Sequence, residues 1–142
     1  KALLMYDIVI AVDTNTINDT SVTAIAQMCF TGKTDGVVDV NCKVWDNTKI
    51  LKPEVHAWAV VINTVYSQLQ NKKQNKTVAI VVDSELGALQ QYNKREKPLV
   101  QDIYLPPGFT LVYASADTGM EFIANQLIRI CDKCAGEVLS CI

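Results

Sequence analysis

Two nearly continuous apolar runs, each followed by an aspartate, limit the folds that this chain can adopt. The first lies in YDIVIAVDTNT, residues 6–16, and leads to Asp13. The second covers residues 77–82 and leads to Asp83. Small and β-branched residues without an alternating polar side are typical of strands that are covered on both faces of a sheet. The pattern therefore predicts two buried strands that each end in a carboxylate, although Asp13 alone is equally explained as a side chain that hydrogen-bonds the following turn.

Two more strands are predicted directly after the first one. Residues 14–20 are rich in Thr, Asn and Asp, so we expect the first strand to end there in a turn. Residues 21–30 form a second strand candidate, and TGKTDG at residues 31–36 has the composition of a hairpin turn. From Val37 to Trp45, apolar and polar residues alternate as in a strand with one exposed face. Short turns between three successive strands predict an antiparallel meander.

Helices and strands alternate in the rest of the chain. Lys52-Pro53-Glu54 has the composition of a first helical turn, and apolar residues then recur every three or four positions to about Asn71. Further along we expect a short helix at 84–92, an irregular segment at 93–108, a strand at 109–114, and a last helix at about 118–134 capped by Asp117. Strands joined through helices pair in parallel. The sequence therefore predicts one α/β domain, residues 1–142, with a five-stranded mixed sheet flanked by helices.

Composition narrows the class of protein. The formal net charge is −2, which excludes binding to nucleic acid by bulk positive charge alone. No apolar run approaches the length that spans a bilayer, so we expect no membrane partner. The five cysteines do not have the spacing of a small secreted domain, which favours a reducing, cytoplasmic compartment. The oligomeric state is left open by these features.

Cys131 and Cys134 form a CxxC pair inside a helical apolar pattern. A zinc site needs a fourth ligand, and the single histidine, His56, lies in a different predicted element. We therefore interpret the two cysteines as core residues.

Acidic residues occupy three particular positions in this order of elements: Asp13 in AVDTNT, Glu54 in KPEVHAWAVV and Asp83 in VVDSELGAL. Over nearly its whole length the chain resembles a ribonuclease H domain, a family with an Asp in its first strand, a Glu in the first turn of the long helix and an Asp-Ser pair after the fourth strand. The resemblance implies that these three carboxylates bind Mg²⁺ or Mn²⁺. It also implies hydrolysis of phosphodiester bonds in the RNA of an RNA/DNA hybrid or in a related nucleic acid.

The fourth position of the site departs from the family pattern. Aligning YASADTGMEFIANQLI with that pattern puts Ser115 in place of the family's His, Glu121 in place of its Asn, and Asn125 in place of its last Asp. Asn125 offers a carbonyl oxygen without a charge, so we expect weaker binding of the second ion. Asp117 and Glu121 are the preferred substitutes, because Asp132 lies about 10 Å further along the helix than Asn125.

The resemblance and the local charge also suggest substrate contacts. Ser84 and Ser115 occupy positions next to the expected metal ligands, and Lys94 and Arg95 lie in a basic cluster with Lys97. The segment NKREKPLVQDIYLPPG, which contains this cluster, is too short for the basic helical protrusion with which some family members hold a hybrid. We therefore expect phosphate contacts from the cluster itself.

Two other interpretations remain open. A binding or structural module that keeps the ribonuclease H fold without its activity agrees with Ser115 and Asn125. An adhesion domain similar to von Willebrand factor A is suggested by residues 13–16, DTNT, which resemble the Asp-x-Ser-x-Ser metal loop of that family. That fold expects a helix directly after the loop, whereas residues 21–44 have the pattern of two strands.

Overall fold

The described residues form five strands and three helices, in the order three meander strands, helix, strand, helix, strand, helix. A computed structural model describes residues 5–28, 38–84, 86–120 and 122–142. The elements are β1 (Ile8–Ile17), β2 (Thr20–Met28), β3 (Val38–Asp46), α1 (Pro53–Asn71), β4 (Val78–Val82), α2 (Leu86–Asn93), β5 (Phe109–Tyr113) and α3 (Ile123–Ser140).

The strands form one mixed sheet in the order β3-β2-β1-β4-β5. The first three strands pair antiparallel, and β4 pairs parallel with both β1 and β5. The predicted meander and the predicted parallel pairing are both confirmed. The strand β1 is central, so its side chains meet helices on both faces of the sheet.

The two faces of the sheet pack against different helices. On one face, Ile10 and Val12 of β1 join Trp58 and Ile62 of α1 and Leu89 of α2 in a core of large side chains. On the other face, the sheet carries mainly small residues beneath α3, and these are Ala11, Ala24, Ala26 and Ala79, with Val9, Val22 and Val81 beside them. Small residues allow a helix backbone to approach the sheet closely. The α3 face is therefore the side on which main-chain atoms of helix and strand come within reach of each other.

The end of β1 differs from the prediction. We expected a turn within residues 14–20, but the ladder with β2 continues to the pair Ile17 and Thr20. The turn contains only Asn18 and Asp19, and Asn18 has φ +54°, a conformation that Asn tolerates better than most residues. Residues 13–16 therefore lie inside a strand, which disagrees with the metal loop of an adhesion domain. The predicted hairpin turn at residues 31–36 lies outside the described residues.

The last helix also differs from the prediction at both ends. It begins at Ile123, after Phe122, and continues to Ser140. Asp117 precedes this helix by six positions and is not its cap. Among the residues that the structure describes, no helix has the length and apolar character needed to cross a membrane.

Candidate active site

Asp13 and Asp83 lie on neighbouring parallel strands at equivalent positions. Ala11 of β1 pairs with Val81 of β4, and each aspartate follows two residues later. Adjacent strands are about 4.8 Å apart, so this register brings the two carboxylates to the same edge of the sheet. Asp13 is within β1 and is only 8% exposed, whereas Asp83 follows the end of β4 and is half-buried.

Asp132 approaches Asp13 from α3. The two elements run side by side, as the thiol of Cys131 donates to the carbonyl oxygen of Ala11 at 3.4 Å and the amide of Asn15 donates to the carbonyl oxygen of Asp132 at 3.3 Å. Asp13 also points to the α3 face, because it pairs with Ala24, which packs against this helix. The Asp132 carboxyl group is near enough to Asp13 to contribute to its raised pKa.

The electrostatics of Asp13 are those of a buried acid among other acids. Burial makes the largest contribution, and together with the hydrogen bond and charge of Asp132 and the charges of Glu54 and Asp83 it raises the pKa of Asp13 from 3.8 to about 8. The groups that shift this pKa are all acidic. Among the described residues, no cation contributes to the shift of this pKa.

Glu54 and Asp83 extend this acidic region to α1. Glu54 is in the first turn of α1, and burial followed by the charge of Asp83 raises its pKa. Burial also raises the pKa of Asp83, against a hydrogen bond that it accepts from the Ala116 N–H at 3.4 Å. The charges of Asp117 and Asp132 raise it further. Asp83 thus connects the pair Asp13 and Asp132 with Glu54.

The carboxylates of Asp13, Glu54, Asp83 and Asp132 come from four separate elements, and we call them the acidic group. Hard carboxylate oxygens are the ligands that Mg²⁺ and Mn²⁺ prefer, so the chemistry of the acidic group fits such an ion. Within the described ranges, however, no three acidic, cysteine or histidine side chains meet closely enough to hold a metal ion. The side chains of Glu54 and Asp83 are half-buried.

Asn125 and Ser115, predicted for the site from the resemblance, organise the loop before α3. The Asn125 amide donates to the carbonyl oxygens of Ser115 at 3.0 Å and Thr118 at 2.9 Å. The Ser115 hydroxyl accepts hydrogen bonds from the N–H groups of Asp117 at 3.1 Å and Thr118 at 3.3 Å. Gly119 has φ +72°, a conformation that favours glycine, and a Cβ there would lie 3.0 Å from the Asn125 amide nitrogen, so Asn125 would have to shift. These contacts hold the loop beside Asp83, and they engage Asn125 away from the acidic group.

The other predicted site residues occupy varied positions. Asp117 is exposed, and its charge acts on Asp83. Ser84 is half-buried directly after Asp83, and Lys94 is exposed at the end of α2. Glu121, the other predicted substitute, lies outside the described residues.

Arg95 has a structural role that the sequence did not indicate. Its guanidinium and Nε groups donate to the carbonyl oxygens of Asn93 at 2.7 Å, Pro106 at 2.9 Å, Leu105 at 3.1 Å and Phe109 at 3.4 Å. Lys97 places its Nζ atom 5.4 Å from the centre of the Tyr92 ring. Of the predicted basic cluster, Lys94 therefore remains the residue best placed to contact an external phosphate.

Asp132 belongs to the acidic group, although the sequence favoured Asp117 and Glu121 over it. Its ranking assumed that Asn125 faces the metal site, and axial distance from Asn125 then counted against it. A better signal was available, because Asp132 follows Cys131 in the buried stripe of α3 that also contains Ile128 and Ala135. A carboxylate beside such a stripe faces the sheet.

Family models and curated proteins give no significant match to this chain. The chemistry of the acidic group therefore rests on its own residues.

Proposed function

We propose that this protein is a divalent-metal-dependent nuclease of the ribonuclease H type, which hydrolyses the RNA of an RNA/DNA hybrid or a related nucleic acid. The observation that carries this proposal is the acidic group, in which burial and neighbouring carboxylates raise the pKa values of Asp13, Glu54 and Asp83. Asp132 of α3 contributes to the shifts of Asp13 and Asp83. The mixed sheet with β1 in its centre supports the same fold family. Mg²⁺ or Mn²⁺ is the implied cofactor.

The electrostatics support metal binding rather than a purely structural role. Two ionised carboxylates in a partly buried region repel each other, and such repulsion costs folding free energy unless a proton or a cation relieves it. In enzymes of this chemistry, bound divalent ions activate water and stabilise the leaving oxygen of the phosphodiester. Asp13 and Asp132 would hold such an ion from β1 and α3, with Glu54 and Asp83 as further ligands.

The remaining residues contribute position and charge. The hydrogen bonds of Ser115 and Asn125 fix the loop at 115–119, which donates the Ala116 N–H to Asp83. Ser84, directly after Asp83, would contact the substrate phosphates beside the acidic group. Lys94 follows the end of α2, next to Asn93, which bonds Leu111, and to Arg95, which bonds Phe109 at the start of β5, so it would contact only a more distant part of the substrate. This proposal replaces Asn125 by Asp132 as the fourth ligand.

The test is cleavage of a labelled RNA/DNA hybrid during a titration with Mn²⁺. We expect Asp13→Asn and Asp132→Asn to lower the cleavage rate by roughly 100-fold or more, because each removes a charged ligand. Asp39→Asn, on the exposed side of β3, is the matched control and should cleave like wild type. Equal cleavage by wild type and Asp13→Asn, with both proteins folded, would overturn the catalytic proposal.

A catalytically degenerate module of the same fold is the second candidate function. It is favoured by the side-chain arrangement, in which no three potential ligands meet around one point within the described ranges. This candidate predicts that wild type binds a hybrid without cleaving it at any Mn²⁺ or Mg²⁺ concentration. Binding measured by fluorescence anisotropy beside the cleavage assay separates the two functions.

A further inference from the structure

Two cysteines that are 92 residues apart in the chain meet between the sheet and α3. The Sγ atoms of Cys42 and Cys134 are 2.7 Å apart, and both residues are free thiols. This separation is shorter than an ordinary contact of about 3.5 to 4.0 Å between non-bonded carbon atoms, although sulfur is the larger atom. It is about 0.7 Å longer than a disulfide bond. A small movement of either side chain is enough to bring the sulfurs to bonding distance.

The sheet register explains why these two thiols meet. Cys42 of β3 pairs with Ala24 of β2, so its side chain lies on the face that α3 covers. Ala24 in turn pairs with Asp13, which places Cys42 on the same cross-strand row as Asp13. Cys134 lies on the underside of α3 and packs against the same cluster of small residues.

The other described cysteines have different surroundings. The Cys131 thiol is buried and donates to the carbonyl oxygen of Ala11 in β1, so it points away from the edge strand β3. Cys141 is exposed one residue after the end of α3. Among the described cysteines, the fold therefore brings together Cys42 and Cys134. The CxxC pair in the sequence is instead Cys131 and Cys134.

We propose that Cys42 and Cys134 are a site of oxidative modification, at which a small-molecule disulfide such as oxidised glutathione converts the two thiols into an intramolecular disulfide. In the first step, one of the two cysteines loses its proton and attacks a glutathione sulfur, which forms a mixed disulfide and releases one glutathione thiolate. In the second step, the other cysteine loses its proton and attacks the protein sulfur of the mixed disulfide. The second glutathione leaves as a thiolate, and the two released thiolates take up the two protons. The protein is oxidised by two electrons, and oxidised glutathione is reduced to two thiols.

The site is open to such a reagent. Cys134 lines a surface depression between α3 and the edge strand β3, together with Val40, Ile130, Lys133, Glu137 and Val138. Both Cys42 and Cys134 are partly exposed. A glutathione sulfur can therefore reach the pair without unfolding of the sheet.

The disulfide would connect an edge strand to the helix that carries Asp132. A covalent link across a long chain segment lowers the conformational entropy of the unfolded state, and the effect grows with loop length. The link therefore stabilises the contact of β3 with α3. This inference rests on the contact of the two sulfurs and is independent of the proposed nuclease function.

The test is oxidation of the full chain by oxidised glutathione at several ratios of oxidised to reduced form. After free thiols are blocked with N-ethylmaleimide, intact mass and non-reducing peptide mapping identify the product. We expect loss of two hydrogens, a peptide in which Cys42 is joined to Cys134, and a melting temperature roughly 10 °C above that of the reduced protein. Cys42→Ser and Cys134→Ser should lose both the link and the shift, whereas Cys141→Ser should keep both.

Several outcomes would overturn the proposal. These are a link between Cys131 and Cys134, a link that involves Cys29, glutathione adducts without an internal link, or an unchanged link in Cys42→Ser. Melting of the reduced variants shows whether they fold. If Cys42→Ser does not fold, Cys42→Ala provides the same test without a buried hydroxyl.

Discussion

The structure gives Asp13 and Asn125 different roles from those that the sequence predicts. From the sequence, Asp13 is predicted to be one of three carboxylate ligands, and Asn125 is predicted to be an uncharged fourth ligand. In the structure, Asp132, Glu54 and Asp83 all contribute to the raised pKa of Asp13, while the Asn125 amide donates to two loop carbonyl oxygens. Asn125 is thus a residue that needs its N–H donors. An acid at this position could not replace it.

Asn125→Asp provides a prediction at the scale of one residue. An ionised Asp cannot donate to the carbonyl oxygens of Ser115 and Thr118, so the loop loses two hydrogen bonds and gains repulsion. We expect the free energy of unfolding to fall by about 1 to 3 kcal/mol, without a gain in cleavage rate. Urea unfolding at neutral pH measures the first effect, and the hybrid assay measures the second.

The matched control for this substitution is Gln126→Glu on the neighbouring position. Its amide donates to one loop carbonyl oxygen, that of Met120 at 2.7 Å, and the side chain is exposed. A smaller loss of stability is therefore expected. A higher cleavage rate in Asn125→Asp would instead support the original alignment with the ribonuclease H pattern.

At the scale of elements, the loop between α2 and β5 shows how one side chain can order an irregular segment. Arg95 has φ +59° and donates to four main-chain carbonyl oxygens on residues 93–109. Hydrogen bonds from a charged donor contribute more than neutral ones. In the basic cluster, Arg95 therefore stabilises the loop.

Arg95→Ala and Lys94→Ala form a matched pair of predictions for this loop. We expect Arg95→Ala to lower the free energy of unfolding by about 1 to 3 kcal/mol, because the carbonyl oxygens lose their donors. Lys94→Ala should leave stability within about 0.5 kcal/mol of wild type, since Lys94 is exposed. Chemical denaturation checks both values. Equal stability of the two variants would show that the guanidinium contacts do not stabilise the loop.

At the scale of the whole molecule, the acidic group links stability to pH. The unfolded state ionises Asp13 near its ordinary pKa of 3.8, whereas the folded state keeps the proton up to a pKa of about 8. Between these values the folded protein binds more protons than the unfolded one, so stability is present at low pH and is lost as the pH rises.

We therefore expect the metal-free protein, kept in a chelator, to lose stability from pH 5 to pH 8. The slope is at most about 1.4 kcal/mol per pH unit for one proton. Asp13→Asn should flatten this slope, and Asp39→Asn should not. Urea unfolding at each pH measures the slope, and an identical slope in wild type and Asp13→Asn would contradict the assignment of the proton to this group.

Structure that depends on interactions between residues close in the chain is easier to predict from sequence than structure that depends on distant contacts. Buried strands and amphipathic helices were predicted because their periods are local, and β1, β4 and α1 appear close to the predicted positions. The ends of β1 and α3 were misplaced because polar residues such as Thr14 and Asp117 favour turns and caps only when nothing else engages them. Thr14 instead contacts the Thr23 hydroxyl across the ladder, at 2.8 Å.

The candidate site was predictable where sheet register alone places a residue, as for Asp13 and Asp83. It was not predictable where the packing of a helix against the sheet decides, as for Asp132 and for the contact of Cys42 with Cys134. No local sequence pattern determines the position of α3 along β1. That position results from side-chain volumes on two surfaces far apart in the chain.

The alanines beneath α3 therefore act as a spacer of fixed thickness. Ala11, Ala24 and Ala135 are fully buried between helix and sheet, and a larger residue at any of them would lift α3 as a rigid unit. The separation between Asp13 and Asp132 would change even though neither acid is altered. Substitutions at these apolar positions would in this way change the proposed metal affinity of the acidic group while every carboxylate stays intact.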